Sequence, residues 1–178
     1  RLIKKPRYNM KEKFSARRLC RAGVIAALYV ALSYLVQPFA FGAVQMRLSE
    51  ALTVLPLFFI ESVPALFIGC LLTNLGGLGV YDIIIGSLTT LLAAICTYFT
   101  GKLIKNKYLK FFIGIIFPIV FNAFAVPCVF LLSGVEIQGY FIETLIIGAG
   151  ELGAVGLFGG ILYFSTYRLF ASKGDETT

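Results

Sequence analysis

The sequence predicts an all-α membrane protein of six transmembrane helices, and two observations lead to this fold class. The chain of 178 residues is 58% hydrophobic, with a mean hydropathy of +0.88, far above the balance of an ordinary water-soluble domain. Between a basic head and a short polar tail lie roughly 150 residues, which is room for about six spans of about 20 residues with short connections. We therefore expect one domain that crosses a lipid bilayer several times.

Basic residues indicate which side of the membrane each end occupies. Nine Lys or Arg residues against one acid fall within residues 1–21, and four lysines lie between 102 and 110. Such clusters are typical of cytoplasmic segments, which places both termini in the cytoplasm. The predicted organisation is a basic head at 1–18, a six-helix membrane domain at 19–170 and a polar tail at 171–178. Met10 would make a natural start, so one hypothesis is that residues 1–9 are a cloning remnant.

The six apolar segments differ in length. The second and third are too short to cross a membrane comfortably, so we expect them to be tilted or re-entrant, which is tolerated where the backbone lines a cavity or is buried in protein. Ser62 is predicted to cap the third segment, with Pro64 in its first turn. The segments cover residues 19–36, 45–60, 65–75, 83–103, 111–132 and 140–170.

Composition argues against several classes of function. The chain has no His, which removes the usual zinc, haem and Ser–His chemistry. It has no GxxxxGK[ST] run, so ATP hydrolysis by this chain is not expected, and no cofactor is predicted. The net charge of +7 comes from basic residues at segment ends, which favours a topological role over nucleic-acid binding. The four cysteines are spaced singly and are interpreted as structural.

Arg47 and Glu50 lie three residues apart at the start of the second apolar segment. A charged side chain at the centre of a membrane helix costs roughly 2.5 to 3.5 kcal/mol on insertion scales, so such groups face protein, water or a ligand. One interpretation is a structural ion pair, because residues three apart share a helix face. The other is a binding site. The predicted topology supports a site, since it gathers more polar residues at the same external side: Asn74, Asp82, Gln138, Glu143 and Glu151.

Three runs of sequence carry a resemblance to a known family. They are QMRLSEALTVLP at 45–56, PALFIGCLLTN at 64–74 and DIIIGSL at 82–88. On these motifs the chain resembles the QueT family, the substrate-binding S components of energy-coupling factor (ECF) transporters. The resemblance implies the ECF S-component fold and a place in the prokaryotic plasma membrane, where a queuosine precursor, a 7-deazaguanine base, is captured from outside. It also implies partners, namely a transmembrane coupling subunit and two ATPase subunits.

The first apolar segment contains two small-xxx-small repeats, Ala22 with Ala26 and Ala27 with Ala31. Such spacing lets another helix approach closely, although alanine is common enough in membrane helices for the pattern to arise by chance. The family resemblance implies that this pattern contacts the coupling subunit. Spacing alone does not decide which of the two repeats does so.

The implied ligand suggests roles for the polar residues. A guanine-like edge presents two adjacent donors, which a carboxylate can accept, and a carbonyl, which needs an amide or Arg donor. Asp82 is suited to a cationic aminomethyl group, and Gln138 completes the predicted pocket. The predicted acceptors are Glu50, Glu143 or Glu151; the predicted donors are Gln45, Arg47, Asn74 or Asn122; the predicted stacking rings are Phe41, Tyr81 or Tyr140.

Several of these residues also have a structural interpretation. Asp82 could cap the fourth segment, and Glu61 could be only a turn residue. Asn122 could satisfy backbone carbonyls that Pro118 and Pro127 leave free inside the bilayer. Sequence alone does not separate these roles from ligand binding.

Three other functions stay open at this level. An S component for a different vitamin-like solute would share the fold, since the pocket decides the ligand. An intramembrane enzyme would need a nucleophile with its base, or a metal cluster, for which the sequence offers no matching set of residues. A channel would need polar residues through the whole depth of the membrane, whereas here they gather at one end.

Overall fold

The computed structural model describes residues 16–36, 47–76 and 79–175. Most of the predicted basic head lies outside these residues. So do the predicted donor Gln45, the predicted stacking ring Phe41 and the last residues of the predicted tail.

The described residues form helices joined by short turns, with no strand among them, which confirms the predicted all-α class. Two of the helices begin or continue through a π-helical segment, here called the first and second π segments. The elements are α1 (Ala16–Val36), a 3₁₀ helix (Leu48–Leu57), α2 (Ser62–Leu75), the first π segment (Asp82–Gly86), α3 (Ser87–Leu103), α4 (Lys107–Leu132), α5 (Tyr140–Glu151), the second π segment (Leu152–Phe158) and α6 (Gly159–Asp175).

Four helical stretches of the described chain are long and apolar enough to cross a membrane. They are Ala16–Val36, Asp82–Leu103, Lys107–Leu132 and Tyr140–Leu169, with 21, 22, 26 and 30 residues. The 3₁₀ helix and α2 are apolar but shorter, in agreement with the expectation that the second and third segments are short. The count of six spans and the cytoplasmic position of both termini stay predictions.

The 3₁₀ helix runs through the centre of the bundle. Every residue from Ser49 to Leu57 is buried, and the helix contacts α1, α2, α3, α4, α6 and the second π segment. Pro56 cannot donate a backbone hydrogen bond. Because 3₁₀ runs beyond three or four residues are uncommon and often mark a functional or strained stretch, a buried one of 10 residues needs support from its neighbours.

Two hydrophobic clusters share this 3₁₀ helix. The first joins it to α1, α2 and α3, and the second joins it to α4, the second π segment and α6. Leu52 and Leu55 belong to the first cluster with Ile25, Tyr29, Ala65, Leu66, Cys70 and Ala94. Val54 and Leu57 belong to the second with Phe111, Ile115, Val155 and Tyr163. The 3₁₀ helix therefore contributes to the packing of both halves of the bundle.

A salt bridge ties the start of α1 to the turn before α2. Arg21 contacts Glu61 at 2.7 Å and lies over the ring of Phe59, 4.2 Å from its centroid. Glu61 is thus more than a turn residue. The predicted cap of α2 is wrong, because Ser62 is the first residue of the helix and its hydroxyl donates to the carbonyl of Phe59 instead.

Glycine permits the closest approach to the 3₁₀ helix. A Cβ atom added at Gly101 of α3 would lie 2.6 Å from the carbonyl oxygen of Leu57, closer than real Cβ contacts. We expect Gly101→Ala to lower the free energy of unfolding by about 1–3 kcal/mol, the usual cost of overpacking. The measurement is the thermal unfolding midpoint of the purified protein in detergent.

Gly23 of α1 is the matched control, since a Cβ added there meets nothing within 4 Å. Alanine is a better helix former than glycine by about 0.5–1 kcal/mol, so Gly23→Ala should leave the midpoint unchanged or raise it. Equal midpoints for the two variants would contradict the close contact between α3 and the 3₁₀ helix.

Candidate functional site

Two carboxyl groups and one amide meet in the middle of the bundle. Glu50 lies on the 3₁₀ helix, Asn122 on α4 and Glu151 at the end of α5, and their exposed fractions are 1%, 2% and 1%. The Asn122 amide lies beside both carboxyl groups, near enough to interact with each, and the two carboxyl groups also interact with one another. These three residues, the buried triad, come from separate parts of the chain.

Hydrogen-bonding capacity in the buried triad is left unused. Glu50 Oε2, Asn122 Nδ2 and Glu151 Oε2 are buried without a hydrogen bond of good geometry. A buried donor or acceptor without a partner costs about 1–3 kcal/mol, and more if it is charged, so such atoms are rare in folded proteins. Three of them in one cluster make the buried triad a candidate site.

Tyr29 of α1 holds one oxygen of Glu50. Its hydroxyl donates to Glu50 Oε1, and its side chain is 2% exposed. The ring lies against Gly69 of α2, where an added Cβ would be 2.8 Å from Tyr29 Cβ. Ser33, one turn further along α1, donates to Ser49 at 2.8 Å, so α1 is attached to the 3₁₀ helix at two points. Tyr29 was not among the residues predicted from the sequence, although a Tyr inside an apolar helix is itself a signal, because a buried hydroxyl usually has a partner.

A second polar group lies at the boundary of the bundle and is here called the mouth group. It contains Arg47, Asp82 and Asn74. Arg47 faces Asp82 at 3.9 Å, with side-chain exposures of 24% and 13%, and Asn74 donates to the backbone carbonyl of Asp82 at 2.8 Å. Among the described residues, the salt bridge of Arg47 is therefore with Asp82 and not with Glu50, as the structural interpretation had predicted. Arg47 remains near enough to interact electrostatically with Glu50 and Glu151.

Cys70 joins the two groups. Its thiol accepts from the hydroxyl of Thr90 at 3.4 Å and from the amide of Asn74 at 3.6 Å, and it lies near Glu50. The interpretation of Cys70 as a small packing residue is therefore incomplete, because its neighbours are polar. Within the described ranges, no group of three His, Cys, Asp or Glu side chains could hold a metal ion.

Both π segments adjoin acidic members of the site. The first π segment begins at Asp82, and the second follows Glu151 directly. π-helical turns inside α-helices are uncommon and frequently mark functional sites. The sequence carries no clear signal for either, apart from the glycines near them.

The structure does not bring every predicted site residue into these groups. Tyr81 and Gln138 are exposed, and Glu143 is partly buried on the first turn of α5. No hydrogen bond or ion pair between described residues links any of the three to the buried triad or the mouth group. Tyr140 donates to the carbonyl of Phe124 at 2.8 Å, which binds α5 to α4. Roles for these residues in ligand binding stay predictions.

The two alanine repeats of α1 face different surroundings. Ala22 and Ala26 are partly buried against the first hydrophobic cluster, whereas Ala27 and Ala31 are exposed. Gly23 is exposed as well, so the small residues Gly23, Ala27 and Ala31 follow one another at intervals of four on the outer face of α1. This row was not evident from either repeat alone.

Comparison with known proteins assigns the family. The family model described as QueT transporter matches residues 19–168. The chain belongs to the QueT transporter family. No curated protein and no solved structure matches it. Membership of a QueT transporter family, together with four long apolar helices, indicates a membrane protein that acts in transport and not as an enzyme.

The hydrogen bond from Tyr29 gives a testable prediction for this QueT-family chain. Tyr29→Phe keeps the ring but leaves both oxygens of the buried Glu50 without a hydroxyl donor. We expect a loss of about 1–3 kcal/mol in the free energy of unfolding, the usual cost of orphaning a buried polar group. A lower thermal unfolding midpoint in detergent would report it.

The control is Tyr108→Phe, because Tyr108 is 55% exposed and its ring contact with Phe164 does not need the hydroxyl. That variant should unfold at the wild-type midpoint. If both variants behave alike, the Tyr29–Glu50 hydrogen bond does not contribute to the fold.

Proposed function

We propose that the chain is the substrate-binding S component of an ECF-type importer and that it captures a 7-deazaguanine queuosine precursor. The observation that carries the proposal is the buried triad, in which three buried polar atoms lack partners inside an apolar transporter of the QueT family. A small, flat, polar molecule would supply the missing hydrogen bonds. Asp82, in the mouth group, is suited to a cationic substituent such as an aminomethyl group.

The distribution of polar residues favours capture over conduction. On the other side of the 3₁₀ helix from Tyr29, the second hydrophobic cluster fills the bundle with Val54, Leu57, Phe111, Ile115, Val155 and Tyr163. A channel would require a polar path through that region. The arrangement supports a binding site that opens at one end, with release depending on a change in the protein.

Charge supports an external opening for the site. Arg21 and Glu61 lie together at one end of α1 and α2, and the hydroxyl of Tyr163 binds the carbonyl of Lys107 near the lysine-rich connection between α3 and α4. The mouth group lies near the other end of α2. Since basic segments stay in the cytoplasm, the mouth group would face outward in the plasma membrane.

The outer face of α1 is the surface proposed for the coupling subunit. Only 17% of the apolar window of α1 is buried, against 39% in each of the other three long spans. The row of Gly23, Ala27 and Ala31 would let a partner helix approach closely. Two ATPase subunits would supply the energy, because the sequence has no phosphate-binding loop of its own.

Equilibrium binding tests the proposed substrate. The purified chain in nanodiscs should bind the aminomethyl or the cyano 7-deazaguanine saturably, at least about tenfold more tightly than riboflavin, thiamine or biotin, a difference of about 1.4 kcal/mol. Calorimetry measures all five ligands under one condition. Tight binding of a vitamin with no binding of either deazaguanine would replace this proposal with the alternative, an S component for another vitamin-like solute.

Assembly tests the proposed partner surface. Ala27→Leu adds a large side chain to the exposed row on α1 and should reduce co-purification with the coupling subunit and both ATPases, while deazaguanine binding by the isolated chain stays at the wild-type level. Ala149→Leu, at an exposed position on α5, is the matched control and should assemble normally. Normal assembly of Ala27→Leu would contradict this use of α1.

A further inference from the structure

We propose that the buried triad binds the edge of the base formed by its 2-amino group, N3 and N9–H. Glu50 and Glu151 accept hydrogen bonds from this edge, and Asn122 donates one to it. This assignment rests on the proposed function and adds to it which residues decide which base is accepted. The unpartnered atoms of the buried triad are two carboxyl oxygens and one amide nitrogen, so these three residues offer two acceptors and one donor. Its complement is a ligand edge with two donors and one acceptor.

The free atoms of the buried triad are determined by the contacts around them. Tyr29 occupies Glu50 Oε1, which leaves Oε2 as the oxygen available to a ligand. The nearby side-chain donors already have partners. Asn74 donates to the backbone carbonyl of Asp82, and Thr90 donates to Cys70 and to the backbone carbonyl of Gly86. Since the three free atoms belong to residues that are at most 2% exposed, bulk water does not satisfy them in a closed site.

The position of Asn122 selects between two edges of a guanine-like base. The Watson–Crick edge presents a carbonyl followed by two donors, whereas the opposite edge of a free 7-deazaguanine presents the 2-amino group, the acceptor N3 and the donor N9–H. Tyr29 occupies Glu50 Oε1, and each carboxyl group offers one buried free oxygen, which fits two donors separated by an acceptor better than two adjacent donors. Asn122 Nδ2 then serves the acceptor between them. The site therefore takes a free base by its 2-amino, N3 and N9–H edge.

This assignment predicts strong discrimination by single groups of the ligand. A base without the 2-amino group leaves one buried carboxyl oxygen without a donor, and a base with a 9-methyl group loses the second donor and adds bulk. Sites built on buried polar groups reject ligands that lack the matching hydrogen bond, because their own groups are then left unpaired. A hydrogen bond to a charged group corresponds to a factor of about 10 to 100 in affinity.

The test compares four ligands on the wild-type chain in nanodiscs by calorimetry: 7-deazaguanine, 7-deazahypoxanthine, 9-methyl-7-deazaguanine and 1-methyl-7-deazaguanine. We expect 7-deazaguanine to bind at least about tenfold more tightly than 7-deazahypoxanthine and the 9-methyl analogue. The 1-methyl analogue should keep the affinity of 7-deazaguanine. The assignment would be overturned if 7-deazahypoxanthine bound as tightly as 7-deazaguanine. It would also be overturned if the 1-methyl analogue lost its affinity while the 9-methyl analogue kept it. If no deazaguanine binds the wild-type chain at all, the proposed function itself fails.

Variants locate the discrimination within the buried triad. In Glu50→Gln or Glu151→Gln, the affinity ratio of 7-deazaguanine to 7-deazahypoxanthine should fall at least about fivefold in one of the two, because the carboxylate that accepts from the 2-amino group is lost. Asn122→Ala should weaken both ligands by a similar factor. Glu136→Gln, at an exposed position between α4 and α5, is the matched control and should keep the wild-type ratio. An unchanged ratio in both triad variants would contradict the proposal.

Discussion

The burial of two carboxyl groups in an apolar helical bundle is the constraint around which this structure is arranged. Removing a carboxylate from water costs several kcal/mol even after the protein relaxes, and two side by side repel one another. Glu50 and Glu151 are nevertheless 1% exposed. The surrounding polar residues each reduce that cost: Tyr29 donates to Glu50, Asn122 lies beside both carboxyl groups, and Arg47 lies near enough to act on both. The remaining unpaired atoms are what make the cluster a candidate site.

The 3₁₀ helix makes this arrangement possible, because it carries Glu50 into the centre of the bundle and contributes to both hydrophobic clusters. Glycine lets α3 approach it closely, as Gly101 does against Leu57. α1 has a double role in the same design. Its inner face supplies Tyr29 and Ser33 to the 3₁₀ helix, and its outer face leaves a row of small residues exposed.

Sequence reasoning succeeded where the signal was local. The lengths and positions of the apolar segments predicted the helices within a few residues. The polar residues inside them made Glu50, Asn122 and Glu151 candidates for a site, which stays a prediction. It could not specify features that depend on neighbouring segments. Glu143 and Glu151 lie two turns apart, yet Glu143 is partly buried and Glu151 is only 1% exposed. Tyr29 and Cys70 look like ordinary apolar-helix residues until their partners are known.

Hydropathy and helix-breaking residues are properties of short stretches of chain, so the sequence by itself determined the all-α class, the membrane character and the basic end of the molecule. The family motifs between 45 and 88 are also local, and they pointed to QueT before any contact was known. Only the tertiary structure decided that residues 29, 50, 122 and 151 meet and that Arg47 pairs with Asp82. It also decided that Ala27 is exposed while Ala26 is partly buried against the first hydrophobic cluster. The reason is physical: contacts between distant segments depend on how helices pack, and helical periodicity specifies which residues share a face but not what that face meets.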